Sequence, residues 1–289
     1  LSLPPYVMGA FLGDGSFRYS NANKSLCFSG QDVEILDFIV SDLNEAESGI
    51  DSWTYVKNSG KNYNWTFRKN NHPIWVEEFL KSYPELWNLK SEKKFIPRDY
   101  LEGTYTQRIR LLQGLLDTDG TIDKKGAVYF TTISPMLRDN VIELSRSLGF
   151  IATYEEDKRK EKYTTGTCYT IYIQCKKKDK PSLFRLSRNF NIAKEYSESS
   201  AREEYKDYLA IANIEKTNVK ADMTCFTVES ADHLFLMKDC IVTHNTRSMI
   251  ADACNFACNR IYHEQFGWIK NGGSHPTLYI TTEQDKSEV

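Results

Sequence analysis

Two stretches of the 289-residue chain read alike: residues 6–17 are YVMGAFLGDGSF and residues 111–122 are LLQGLLDTDGTI. Each is a short apolar helix running into Asp-Gly, and Asp14 and Asp119 stand 105 residues apart. The segments downstream of the two stretches correspond as well. After the first come strand-like SFRYSNANKSLCFSG, an amphipathic helix in DVEILDFIVSDL, a hairpin in SWTYVKNSGKNYNWTFRK and a helix in HPIWVEEFLKSY. After the second come the strands of TIDKKGAVYFTT, the helix SPMLRDNVIELSRSLGF, a hairpin through IATYEEDKRKEKYTTGTCYTIYIQ and a helix in PSLFRLSRNF. Periodicity thus gives helix, two strands, helix, two strands, helix, written twice. Such a repeat implies an α+β fold of two αββαββα halves around a pseudo-two-fold axis. Halves of about 1–104 and 105–203 are expected, then a β-rich segment 204–245 and a helix-then-strand tail 246–289.

Small residues at Gly9 and Gly114 let the two helices approach closely, which brings their terminal aspartates together. Two carboxylates in proximity repel and are hard to keep ionised without a cation. With Mg²⁺ they become a metal site instead, so Asp14 and Asp119 are the expected catalytic and metal-holding residues. One carboxylate per half, facing two scissile phosphates, suits hydrolysis of both strands of a duplex.

The two segments VMGAFLGDG and LQGLLDTDG resemble the paired motifs of the LAGLIDADG homing endonucleases, over about residues 5–200. The resemblance implies the family's pseudo-symmetric fold, a monomer, Mg²⁺-dependent cleavage and short 3′ overhangs. Its Lys-x-Ile-Pro block falls on Lys94-Phe95-Ile96-Pro97, so Lys94 is the expected active-site lysine, able to stabilise charge on the attacked phosphate. Lys194, 75 residues after Asp119, is its expected counterpart.

Net charge first argues against a nucleic-acid partner, with 37 basic and 39 acidic side chains. Locally it does not. The stretch 51–69 holds Lys57, Lys61, Arg68 and Lys69 against one acid. The stretch 157–180 holds Lys158, Arg159, Lys160, Lys162, Lys176, Lys177, Lys178 and Lys180 against three. On predicted hairpins these would form β-ribbons able to enter the major groove and grip phosphates. No apolar run approaches the roughly 18 residues of a spanning helix, so no membrane partner is expected. Seven scattered cysteines point to reduced thiols and an intracellular, cytoplasmic setting of bacterial or phage type.

Near the end the chain reads CFTVESADHLFL at 225–236 and CIVTHNT at 240–246. Asparagine can cleave its own peptide bond by attack of its amide nitrogen on its carbonyl, given donors and a proton for the leaving amine. His244 adjoins Asn245, His233 lies on the preceding strand, and Thr246 offers a hydroxyl as acyl acceptor. These segments resemble the C-terminal blocks of an intein, a common carrier of LAGLIDADG endonucleases. Cysteine at 225 and threonine at 243 resemble the class 3 inteins. The resemblance implies that Cys225 attacks the upstream junction and passes the acyl chain to Thr246, after which Asn245 cyclises without a cofactor. Without an initiator Met, and stopping after Glu288-Val289, the chain reads as a window on a longer protein. The N-terminal splicing half and N-extein are then missing partners.

Beyond Thr246, a long helix through SMIADACNFACNRIYHEQFGWI and the strand PTLYITTEQ resemble the start of a RecA/DnaB-type ATPase core. Glu283 would orient the attacking water, and ATP with Mg²⁺ would belong only to the spliced host. Residues 1–289 therefore read as an intein-borne endonuclease that cuts double-stranded DNA at an intein-free host-gene site. Two rivals remain: a LAGLIDADG scaffold that binds nucleic acid without cutting, and a fragment whose main activity is the host helicase. Retention of both Asp14 and Asp119 argues against the first.

Overall fold

The computed structural model describes residues 1–17, 25–47, 52–60, 63–157 and 167–201, with short stretches at 228–229, 234–236, 240, 242–243, 260–263 and 267–270. The chain divides into two compact units, Leu1–Leu209 and Ala210–Val289, against an expected boundary at 203/204.

The first unit opens with α1 (Pro5–Asp14), β1 (Gly15–Ser16), β2 (Cys27–Ser29), α2 (Val33–Ala46), β3 (Trp53–Lys57), β4 (Asn64–Lys69), β5 (His72–Pro73), α3 (Val76–Phe79) and α4 (Arg98–Leu101). The order recurs as α5 (Tyr105–Thr118), β6 (Gly120–Ile122), β7 (Val128–Thr132), α6 (Pro135–Ser147), β8 (Ile151–Asp157), β9 (Cys168–Gln174) and α7 (Ser187–Glu198). Both sheets are antiparallel with one topology, β1-β2-β4-β3 and β6-β7-β9-β8. Because strand order is set independently in each half, its recurrence bears out the α+β duplication read from the sequence.

The motif helices form the centre. Proline at the first position of α1 suits a helix start, where its missing N–H is unneeded. Every residue from Tyr6 to Leu12 is buried, as the uninterrupted apolar run requires. Helix α5 begins with a reciprocal cap: Thr104 Oγ1 accepts from Gln107 N, and Gln107 Oε1 accepts from Thr104 N. The helices meet backbone to backbone. A Cβ added at Gly9 would lie 2.2 Å from Leu111 O, and one at Gly114 would lie 2.2 Å from Tyr6 O. Around this seam one hydrophobic core runs through both halves, from Phe11, Phe28 and Phe67 to Leu115, Phe130 and Ile171.

Each half also clasps the other. Asp42 and Asp32, from α2 and its N-cap, pair with Arg185 (2.8 Å) and Arg188 (3.1 Å), while Glu34 accepts from Ser187 N. Reciprocally, Asn140 Oδ1 of α6 accepts from Ile96 N (2.9 Å) and Glu143 pairs with Arg98.

Several expectations are corrected. The helix read in HPIWVEEFLKSY shrinks to the four residues of α3. Asn70 and Asn71, at φ +49° and +66°, reverse the chain so that His72–Pro73 pairs with Arg68–Lys69. The helix read from Pro181 is a three-ten turn over Lys177–Leu183, and α7 begins at Ser187. Lys176, Lys177 and Lys178 therefore come after the hairpin rather than lying on it. In the second unit, β10 (Phe235–Leu236) pairs with β11 (Val242–Thr243), and β12 (Arg260–His263) with β13 (Gly267–Lys270), all antiparallel. The β12–β13 hairpin occupies the end of the expected helix 248–269; aromatic and branched residues at Ile261, Tyr262, Trp268 and Ile269 favour strands there. The strand expected at 276–283 lies outside the described residues.

The seam yields a direct expectation. Gly114→Ala must push two backbones apart, since nothing flexible stands in the way, and should destabilise the first unit by about 1–3 kcal/mol in urea unfolding. A change within about 0.5 kcal/mol would show that the helices are not in this contact.

Candidate active site

Asp14 is the last residue of α1, and Asp119 is the C-cap of α5. Both carboxylates thus stand at the negative ends of helices, where a cation is favoured and an anion is not. Asp14 is half-buried; its carboxyl is pushed up to about 7 by burial and then by Asp119, with Lys94 opposing. Asp119 keeps solvent access, yet burial by the surrounding protein still raises its carboxyl above the ordinary range, again with Lys94 opposing. The closeness of the two helix ends shows at Gly13, where an added Cβ would meet Thr118 Oγ1 at 2.0 Å and Asp119 Oδ2 at 3.5 Å.

Lys94 is 6% exposed, and its Nζ donates to the carbonyls of Gly13 (2.7 Å) and Gly15 (3.1 Å), one on each side of Asp14. Burial lowers its ammonium to about 8, while Asp119 and Asp14 favour the charged form. Ser134, the N-cap of α6, donates Oγ–H to the Lys94 carbonyl at 2.6 Å, so the second half fixes the backbone of the first half's lysine. A cleft of ≈ 300 Å³ joins these groups, lined by Asp14, Ser91, Lys94, Asp119, Thr131, Thr132 and Cys168 among others.

Lys194 is not part of this cluster. It lies exposed on α7 and is absent from the charges acting on either aspartate. Counting back from the residue capping the next helix, Pro97 before α4 and Leu186 before α7, the position matching Lys94 is Leu183, fully buried. The described site therefore has two carboxylates and one lysine.

Sequence reasoning passed over Asp117, two residues before Asp119 and 1% exposed. Its Oδ2 accepts from Tyr6 Oη (2.9 Å), Leu186 N (3.1 Å) and Arg185 N (3.2 Å), tying α1, α5 and the start of α7 together. Burial pushes its carboxyl up to about 6, against those donors. An acid inside an apolar motif helix was the available signal, since a buried carboxylate requires donors.

Strand alternation sorts the expected DNA-contacting residues. In β3 and β4 the register pairs Thr54 with Arg68 and Val56 with Thr66 on one face; Trp53 with Lys69 and Lys57 with Trp65 lie on the other, alongside buried Phe67. Arg68 thus shares the open face with Thr66, Asn64, Ser29 and Cys27. Lys69 is engaged by Glu47 at 2.9 Å, and Lys57 lies 5.1 Å from the Tyr63 ring centre. Lys177 Nζ donates to the carbonyls of Ser199 and Ala201 beyond α7, and buried Lys180 donates to Gly126 O (2.6 Å). These two lysines satisfy backbone carbonyls; Lys176 and Lys178 are not buried. Lys61, Lys158, Arg159, Lys160, Lys162, Cys225, His233, His244, Asn245, Thr246 and Glu283 lie outside the described residues. Thr243 pairs with Phe235 across β10–β11.

Residues 96–205 match the family model described as homing endonuclease. Among curated proteins, the replicative DNA helicase DnaB of Mycobacterium intracellulare is 27% identical over 247 residues, covering 84% of this chain and 35% of that protein. The chain thus spans about a third of the length of the curated relative it matches. Among solved structures, mesophilic variants of the homing endonuclease I-DmoI are 14% identical, with a TM-score of 0.41, covering 67% of this chain and 97% of theirs. The homing endonuclease I-WcaI bound to its DNA recognition sequence is 17% identical, with a TM-score of 0.37, covering 67% and 80%.

The pair of acids sets a pH dependence for the metal-free protein. Asp14 is held near 7 in the fold against 3.8 unfolded, so its contribution favours folding at low pH and is lost as pH rises through about 7. Asp14→Asn should therefore raise the Tm of metal-free protein at pH 8 and raise it by less than half as much at pH 5. An equal effect at both pH values would mean that no charge is confined there.

Proposed function

We propose that the first unit is a site-specific endonuclease for double-stranded DNA, acting as a monomer whose two halves each present one carboxylate. The observation that carries this is the convergence of Asp14, Asp119 and Lys94 in one cleft, within a first unit whose residues 96–205 match the homing endonuclease model. Asp14 and Asp119 fit a divalent cation: two hard oxygen donors, raised by confinement, with no cluster of three or more His, Cys, Asp or Glu among the described residues to compete for it. Mg²⁺ commonly takes one or two carboxylates and completes its shell with water and substrate phosphates. When bound, it would supply Lewis acidity and a more acidic water at the scissile phosphate.

The chain's own groups then have distinct tasks. Asp14 and Asp119 would hold the cation. Lys94, clamped by the Gly13 and Gly15 carbonyls, presents a buried positive charge to the phosphate, where negative charge grows as the bond to the leaving oxygen breaks. The open sheet faces, rich in Ser, Thr, Asn and Tyr, carry the donors and acceptors that read base edges in a major groove, with Arg68 as a phosphate or guanine contact. Residues 204–245 we assign to protein splicing: Cys225 as the first nucleophile, Asn245 as the cyclising residue, His233, Thr243 and His244 around them, and Thr246, just beyond, as acyl acceptor. Residues 246–289, with Glu283, we assign to a replicative helicase host; the likeness to DnaB supports that context. The setting is then cytoplasmic.

Two experiments test this. Purified protein offered a duplex library with Mg²⁺ should cut a defined site; Asp14→Asn and Asp119→Asn should abolish cutting while keeping binding, and Lys94→Met should slow it about 10²–10³-fold. Sequence-selective binding without cutting by the parent would instead identify a binding module. In a full-length precursor, Cys225→Ala should remove the branched intermediate; unimpaired branching would refute the assigned nucleophile.

A further inference from the structure

The open face of the second sheet carries few cations among its described residues. It presents hydroxyls and, on its outer strand, the carboxylates of Glu155 and Asp157. Register places Thr131 of β7, Thr170 of β9 and Glu155 of β8 in one row across three strands. Ile171 and Ile173, on the opposite face of β9, are buried. The inner end of the row opens on the catalytic cleft, since Thr131 lines it together with Asp119. The outer end, Glu155, stands two strand spacings away, about 10 Å. That distance is roughly three base steps along a duplex with a rise of about 3.4 Å.

A carboxylate near DNA is repelled by phosphate and costs affinity unless it meets a donor. Glu155 is also held in place. Its Oε2 accepts from Tyr172 Oη at 2.9 Å, and the Tyr172 ring packs edge-on against Tyr129 at 5.3 Å. Tyr129 in turn donates to Asp123 Oδ2 (2.9 Å). Asp123 differs in its use: its Oδ1 already accepts from Lys125 N and Ala127 N, so it closes its own turn. Glu155 Oε1, by contrast, takes no hydrogen bond from the described residues. A positioned acceptor-only oxygen on a groove-facing strand matches one base edge best. Cytosine offers its N4 amino donor, guanine and thymine offer acceptors that repel a carboxylate, and adenine sets an acceptor beside its donor.

We propose that Glu155, oriented by Tyr172, is a specificity-determining residue that selects cytosine about three base steps from the cut in the half-site read by the second sheet. This rests on the endonuclease reading of the first unit. The test uses the full chain and a randomised duplex library, selected for binding in Ca²⁺ and then mapped for cutting in Mg²⁺. The parent should enrich cytosine at one position within about three or four steps of the cut on one side. Glu155→Gln should lower that preference at least about fivefold while leaving the other positions unchanged. Tyr172→Phe should weaken the same preference without abolishing it. A parent site whose cytosine persists in Glu155→Gln, or a loss spread evenly over all positions, would overturn this proposal alone. Absence of any enriched site would overturn it together with the endonuclease reading.

Discussion

The contact between Gly9 of α1 and Gly114 of α5 governs the geometry of the first unit. With a side chain at either position, the helices would separate by the width of at least a methyl group. Their C-terminal ends would separate too, and with them the carboxylates that the helices deliver. The seam also explains why the core is continuous across the halves rather than duplicated. Tyr6, Phe11, Leu112 and Leu115 belong to one apolar body that runs through both halves.

That continuity makes the halves interdependent at the site. Lys94 belongs to the first half by sequence, but Ser134 of the second half holds its carbonyl, and Asn140 holds the amide two residues on. In the other direction, α2 and its cap clasp the segment that leads into α7 through Asp32, Glu34 and Asp42. The reciprocal clasps preserve the pseudo-dyad in the backbone, while the chemistry departs from it: Lys94 faces the aspartates, and its positional counterpart Leu183 fills core.

The duplication and both aspartates were legible in the sequence because they depend on short local patterns: an apolar run, a glycine and Asp-Gly. The place of Lys94 beside them was indicated only by a family resemblance, since it depends on the chain folding back onto Gly13 and Gly15. Its counterpart was misplaced at Lys194 because residue counting treats the halves as equal in length, whereas the first half carries β5 and α3 between its hairpin and α4 and the second has only the three-ten turn over Lys177–Leu183 before α7. Charge counting had a similar weakness. It grouped Lys57, Arg68 and Lys69 on one ribbon, although period-two alternation sends Arg68 to one face and the two lysines to the other. Asp117 escaped notice because its partners, Tyr6 and the Arg185 and Leu186 amides, are distant in sequence.

One physical claim underlies the account: carboxylates from two halves share a single divalent cation on bound DNA. Anomalous scattering from a crystal of the protein with its selected duplex and Mn²⁺ would test it. The expected result is a manganese peak within about 2.0–2.4 Å of oxygens from both Asp14 and Asp119, close to a DNA phosphate. Manganese bound elsewhere, or by one aspartate with the other turned away from the DNA, would contradict it.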